Sequence, residues 1–185
     1  MWNEKLDLKG YFKIDSYDLD NKLIDTYESK NLIMDNGRIN IANFMSGIGT
    51  NSKITKFVLG TEGHSTSLLE PKTSADGFVS SRTSLFSEDT ESYEYTIEFV
   101  PTTSGDYATV TETDIGAGSK VKVTVNTDLI TYEIELAGPA GNNASSVPYT
   151  EACFYAGTRI FAMRCFPVRV KDSSTRLVIT WQFQF

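Results

Sequence analysis

The sequence predicts a mainly β fold, an antiparallel sandwich of about ten strands with one short helix near residues 36–47. Three observations lead there. Apolar and polar residues alternate with a period of two in several stretches. Tyr93, Tyr95, Ile97 and Phe99 interleave with Glu94, Thr96 and Glu98, and Ile130, Tyr132, Ile134 and Leu136 interleave with Thr131, Glu133 and Glu135. Turn-forming clusters punctuate the chain, as in Asp18-Leu-Asp-Asn21, Gly60-Thr-Glu-Gly63 and Gly138-Pro-Ala-Gly141. Helical spacing appears convincingly once, where Ile41, Phe44, Met45 and Ile48 follow the i, i+3, i+4, i+7 pattern. A barrel-like closure of the same strands is the competing architecture.

Taken in order, residues 8–18 and 22–30 read as a hairpin, with Phe12 and Ile14 on its apolar face. The returning strand feeds the helix, for which Asp35 or Asn36 is the expected N-cap and Gly47 the left-handed C-terminal residue. A helix of roughly three turns is marginal alone, so its apolar stripe is expected to be buried against the sheets. Residues 53–60 form the next strand. Residues 61–76 read as an exposed polar loop that Leu68 and Leu69 tack to the body. Strands follow at 78–86, 93–99, 121–125 and 130–136. Residues 101–119 read as a loop with a flap strand at 107–111. Residues 138–146 read as a flexible loop, and strands at 149–156, 159–168 and 175–185 close the chain. In the last, Leu177, Ile179, Trp181, Phe183 and Phe185 are expected to share one face.

The 185 residues suit one domain, 1–185, and a chain of that size needs no staples. The net charge of −7 opposes binding to nucleic acid or to an anionic membrane surface. The first residues lack an apolar core of the signal-peptide kind, so synthesis and retention in a cytoplasm are expected. Cys153 and Cys165 bracket a hairpin turning near Gly157-Thr158. A two-residue loop would set Cys153 opposite Ala162 and turn it away from Cys165; a three-residue loop would put both thiols on one face. Two buried thiols are expected in either case.

Residues that could carry chemistry each have a plainer reading. His64 is the only histidine, and no G-x-S-x-G elbow accompanies it, so a surface histidine is expected. Asp15, Asp18, Asp20 and Asn21 lack the glycine and distant Glu of a calcium loop. Gly60-Thr-Glu-Gly63 has the glycines of a phosphate loop without its Lys or Ser/Thr. Glu94 and Glu98 share a strand face, as paired glycosidase acids could, but no second motif supports them. No cofactor, metal or catalytic residue is therefore expected.

Charge is unevenly distributed. Between Thr83 and Ser119 there is no Lys or Arg but eight acids: Glu88, Asp89, Glu91, Glu94, Glu98, Asp106, Glu112 and Asp114. Arg159, Arg164, Arg169, Lys171 and Arg176 follow later in the chain. Opposite patches on one subunit suit a head-to-tail contact. Glu94, Glu98, Arg159, Arg164, Arg169 and Lys171 are the expected contact residues, together with loops 61–76 and 138–148. An unequal but fully solvated surface is the alternative.

Four signatures in order resemble a known family. They are a hairpin running into Lys30-Asn-Leu-Ile-Met-Asp-Asn-Gly-Arg38; the short helix 39–45; Ile54-Thr-Lys-Phe-Val-Leu-Gly-Thr-Glu-Gly63; and a close of Thr150-Glu-Ala-Cys-Phe-Tyr155, Ile160-Phe-Ala-Met-Arg-Cys-Phe-Pro167 and Leu177 to Phe185. This order is similar to small structural proteins of tailed bacteriophages, found among tail-fibre, baseplate and collar components. It leaves residues 78–148 unmatched, and it departs from the family pattern at Glu62 and Cys153. The resemblance implies a non-enzymatic virion subunit that forms a homo-oligomer and meets other tail or neck proteins. The rival binding function is a carbohydrate-binding module for host-surface glycans, which would need exposed Trp, Tyr or Phe rings on one face.

Overall fold

The computed structural model describes residues 8–47, 53–66, 70–87, 91–94, 99–101, 107–110, 112–142 and 145–185. Among these, two antiparallel sheets face each other as a β-sandwich. The first strands are β1 (Lys9–Tyr17), β2 (Leu23–Lys30), β3 (Leu32–Ile33) and β4 (Ile54–Gly60), with α1 (Asp35–Ser46) before β4. Then come β5 (Glu91–Glu94), β6 (Phe99–Pro101), β7 (Tyr107–Val110), β8 (Thr113–Gly116), β9 (Ser119–Asn126) and β10 (Leu129–Leu136). The chain closes with β11 (Ser146–Ala156), β12 (Arg159–Asp172) and β13 (Arg176–Gln184). One sheet runs β2-β1-β13-β10-β9-β7-β6, with β8 also paired to β9; the other runs β3-β12-β11-β4-β5.

Alternation dictates the larger sheet's inner face. Phe12, Ile14, Ile134, Leu177, Ile179 and Trp181 are fully buried there, one residue in two along their strands. They meet Phe57, Phe154 and Phe166 of the smaller sheet in one apolar cluster. Trp181 sits at its centre, 4.9 Å between ring centroids from both Phe12 and Phe154. Phe185 leaves this face: it lies beyond β13 and is 41% exposed, although its N–H donates to the Asp128 carbonyl.

The smaller sheet obeys a different rule. From Tyr149 to Ala156 every residue is buried, so both faces of β11 are covered. Ala152, Phe154 and Ala156 face the sandwich core. Cys153, Tyr155, Ile160, Met163 and Cys165 face outward, under Met34, Phe78 and Leu85. Residues 73–87 supply much of this outer layer. They were expected to include a strand at 78–86, but only a 3-10 turn at Ser74–Asp76 and irregular backbone occur. A segment that covers a sheet face cannot also join the ladder, so its apolar residues serve as plugs. The loop expected over 101–119 also contains β8 as well as the flap strand β7.

Both thiols lie under this cover, unlinked and on one face. The hairpin has a two-residue loop, with Ala156 opposite Arg159, yet Cys153 faces Met163 and not Ala162. One extra residue, Phe161, bulges from β12 and shifts the register by one.

The same bulge seats the helix. The Phe161 carbonyl accepts the Met34 N–H (3.0 Å), and Gly37 packs directly against it. Met34, not Asp35 or Asn36, is the N-cap, and no side chain caps the first turn. Gly47 ends the helix in the left-handed region as expected (φ 66°). The apolar stripe is not buried as expected. Ile41 packs on the core, but Phe44 and Met45 are 70% and 73% exposed. Ile48 lies outside the described residues. Gly37 is the buried residue of the helix and Ile41 packs beside it, while the last turn, with Phe44 and Met45, stands away from the sheet.

Glycine within a helix ordinarily destabilises relative to Ala. At position 37 an added Cβ would collide with the Phe161 carbonyl. Gly37→Ala is therefore expected to lower unfolding free energy by about 1–3 kcal/mol, a cost typical of overpacking. Equilibrium urea unfolding reads this directly; a stabilised variant would contradict the close seating.

Candidate functional site

Of the cations expected to make subunit contacts, Arg169 and Lys171 are buried and Arg164 is half-buried; of the two acids, Glu94 is the one described. Glu94 is exposed at the end of β5, and Arg159 is exposed at the start of β12. Glu98, Glu88, Asp89 and Asp106 lie outside the described residues. Arg164 donates to the Lys30 carbonyl (3.1 Å) and the Tyr27 hydroxyl (2.8 Å), tying β12 to the end of β2. Arg169 is buried and paired with Asp25 at 3.1 Å. Arg176 pairs with Glu135 at 3.1 Å and lies over the Tyr17 ring. Lys171 has no exposed surface at all. The expectation of a basic docking patch that includes Arg169 and Lys171 is thus corrected: both cations are turned to internal bonds.

Lys171 fastens the first half of the loop after β10. Its ammonium donates to the Gly138 carbonyl (2.9 Å), Asn142 Oδ1 (2.8 Å) and the Asp172 carbonyl (2.9 Å). The Tyr149 hydroxyl donates to the Gly141 carbonyl (2.8 Å). Gly138, Ala140 and Gly141 are buried as a result, and Ser146 already belongs to β11. Residues 143–144 lie outside the described set. Burial pushes the Lys171 ammonium down to about 8, while three acceptors keep it a donor at neutral pH.

Glu151 does the same work on the other side of the sheet. It is fully buried on β11. Oε1 accepts the Ser87 N–H (2.8 Å) and the Glu62 N–H (3.4 Å), and Oε2 accepts the Phe86 N–H (2.8 Å). Burial pushes its carboxyl above the ordinary range, with the three N–H donors pulling the other way. Cys165 is pushed up to about 12, by burial first and then by Glu151. Next to Glu151, Thr150 Oγ1 accepts the Gly63 N–H (2.9 Å). Gly60 and Gly63 are small because the Ser87 and Thr150 carbonyls pass where side chains would stand. The Gly60–Gly63 turn is thus clamped to the sheet and is no phosphate cradle.

The cover is also tied to itself. Arg82 donates to the Gly77, Ser84 and Leu85 carbonyls. Phe86 lies between two cations, with Lys72 Nζ 3.9 Å and the Arg82 guanidinium 3.6 Å from its ring centroid. His64 Nδ1 lies 3.0 Å from the Ser65 carbonyl, and the His64 backbone forms an isolated antiparallel bridge with Pro71. Loop 61–76 is exposed over much of its described length, at Glu62, Thr66, Glu70 and residues 73–76, and is fastened to the sheet at Glu62 and Gly63.

A concave apolar surface lies beside the helix. Ile41, Phe44 and Met45 of α1 face Ile54, Ile130, Phe161 and Phe185 across an open groove of about 540 Å³, with Lys53 at its rim. Its presence follows from the half-docked helix. Trp181, which a sugar-binding platform would want exposed, is wholly buried, and Trp2 lies outside the described residues. Among the described residues no cluster of three or more His, Cys, Asp or Glu could hold a metal, and no helix is long and apolar enough to cross a membrane.

Sequence reasoning missed Glu151 and expected Lys171 on the surface. Glu151 had a signal: it is a lone charge inside the apolar run 149–156. Lys171 had none, being one cation among several.

The fold and these clamps define a two-sheet β-sandwich whose smaller sheet carries a fastened outer layer. Comparison with known protein families, with curated proteins and with solved structures found no match.

Two measurements test the clamps. Glu151→Gln replaces one acceptor oxygen with a donor facing N–H groups, so unfolding free energy is expected to fall by about 1–3 kcal/mol. Glu94→Gln, on the surface, is expected to stay within about 0.5 kcal/mol. For Lys171 the sign follows from linkage. Its folded value, about 8, lies below the unfolded 10.5, so between these the unfolded chain binds more protons and unfolding free energy rises with pH. That contribution is complete above the unfolded value and is lost as pH falls through about 8. Relative to Lys171→Met, the wild type is expected to gain stability across this window, as read by urea unfolding at stepped pH.

Proposed function

We propose that this chain is a non-enzymatic structural subunit of a tailed-bacteriophage virion, built into a tail, baseplate, neck or fibre. The observation that carries the reading is where the resembling segments fall. Those at 30–38, 39–45, 54–63, 150–155 and 160–167 lie on β3, α1, β4, β11 and β12, and the terminal segment is β13. β3, β12, β11 and β4 are consecutive neighbours in one sheet, and α1 packs on β12. Signatures scattered through the sequence therefore meet in the smaller sheet, while β13 and the N-terminal hairpin are neighbours in the larger one. The unmatched stretch 78–148 supplies part of the outer layer and several strands of the other sheet.

The bonding of that unit suits a subunit that keeps its shape under load. Charged groups are spent on fastening loops, and an apolar groove and a long strand edge remain on the surface. Partners in this reading are other tail or neck proteins and copies of this chain.

Particles assembled with and without this chain test the proposal. Mass spectrometry is expected to find it in fixed ratio to the major tail proteins, and micrographs are expected to show incomplete tails when it is missing. Particles of unchanged form that never contain it would overturn the reading.

A further inference from the structure

The groove beside α1 leads into the sandwich. A second, smaller hollow of about 170 Å³ lies between the sheets, lined by Thr55 of β4 and by Val123, Val125 and Tyr132 of the larger sheet. Lys53, Ile54 and Ile130 line both spaces, so the two meet there. Alternation explains the hollow. Val123, Val125, Ile130 and Tyr132 belong to the inner face of the larger sheet, yet Val125 and Ile130, near the turn between β9 and β10, are only half-buried. The groove itself, at about 540 Å³, has the size of a small-molecule site, and such sites are mostly apolar with a few polar groups.

One charge stands where the two spaces join. Among the described residues that line them, Lys53 is the charged one, and it is exposed. Asn40 and Thr55 are neutral, and burial pushes the Tyr132 hydroxyl up, which keeps it protonated. Asp128, on the turn between β9 and β10, is not a lining residue, and its carboxylate accepts from Gln184 Nε2 (3.3 Å). An apolar slot with a cation at its mouth matches a molecule with one hydrocarbon chain and an anionic head. A protein segment entering the hollow would bury N–H and C=O groups among apolar side chains, whereas a hydrocarbon chain has none to satisfy. The net charge of −7 opposes docking on an anionic bilayer, so the chain is taken from a free molecule.

We propose that the joined groove and hollow bind a free fatty acid, with its carboxylate at Lys53 and its chain against Ile54 and Ile130. Burial of the chain supplies most of the affinity, because every methylene removed from water contributes. The ion pair at the exposed Lys53 adds little and sets which end of the ligand stays outside. Phe44 and Met45, otherwise 70% and 73% exposed, gain cover from the bound chain. Met45 is unbranched and adapts to an irregular partner of this kind. A chain too short to reach the hollow binds weakly, and lengthening it tightens binding until the space is filled.

The inference stands apart from the virion reading, because purified chain tests it without particles and either can fail alone. The full chain is titrated with octanoate, decanoate and dodecanoate, each below its micelle-forming concentration, by calorimetry and by methyl NMR. Saturable binding is expected, tightening by up to about fourfold for each added methylene. The methyl signals of Ile54, Ile130 and Met45 are expected to move, while those of the fully buried Ile14 and Ile179 stay in place. Lys53→Glu, at an exposed position, is expected to weaken dodecanoate about fivefold and to strengthen dodecylammonium. No saturable binding of dodecanoate, affinity indifferent to chain length, shifts confined to other methyls, or a Lys53→Glu variant with the wild-type preference for dodecanoate would each overturn the proposal. So would movement of the same methyls with protein concentration alone, which would give the groove to a second copy.

Discussion

One buried carboxylate holds three parts of this chain together. Glu151 lies in the middle of a strand with no exposed face, and its oxygens accept backbone N–H groups from the turn after β4 and from the segment before β5. Burying a carboxylate is costly unless its oxygens are satisfied, and here backbone donors fixed by the fold satisfy them. The arrangement works in both directions. The sheet needs the cover, because β11 and β12 are apolar on both faces. The cover needs the sheet, because its irregular backbone has no ladder of its own.

That reciprocity explains what could be read in the sequence. The larger sheet announces itself by alternation: Leu177, Ile179, Trp181 and Phe183 on β13, and Tyr132, Ile134 and Leu136 on β10, lie inside as their spacing says. The hairpin of β1 and β2 and the left-handed stop at Gly47 were equally legible. The outer layer was not. Phe78 and Leu85 look like strand residues, because apolar plugs on an irregular segment and apolar residues on a strand have the same composition. The seating of the helix depends on a one-residue bulge at Phe161, and no local pattern marks a bulge. The helical stripe was correct as a periodicity and wrong as a burial pattern, since Gly37 and not Phe44 makes the close approach.

Charges were the least legible feature. A run of Arg and Lys near the C-terminus suggests an exposed patch, but the side chains have length enough to turn inward, and Arg164, Arg169 and Lys171 do so. Each joins parts of the fold that backbone pairing leaves unconnected: β12 to β2, and β12 to the loop after β10. Of the expected contact residues, Glu94 and Arg159 stay exposed. Among the described residues, the apolar groove beside α1 stays open. A block whose described loops are fastened to its sheets, with an apolar groove left open, suits the building of larger structures, which is the sense of the virion reading.

Native-state hydrogen exchange tests the central claim, that the outer layer and the smaller sheet open as one unit. The amides of Phe86 and Ser87, bonded to Glu151, are predicted to exchange with the same opening free energy as those of Cys153 and Phe154, within about 1 kcal/mol. Opening of Phe86 and Ser87 at several kcal/mol less, while β11 stays protected, would show the cover to be an appendage and contradict the account.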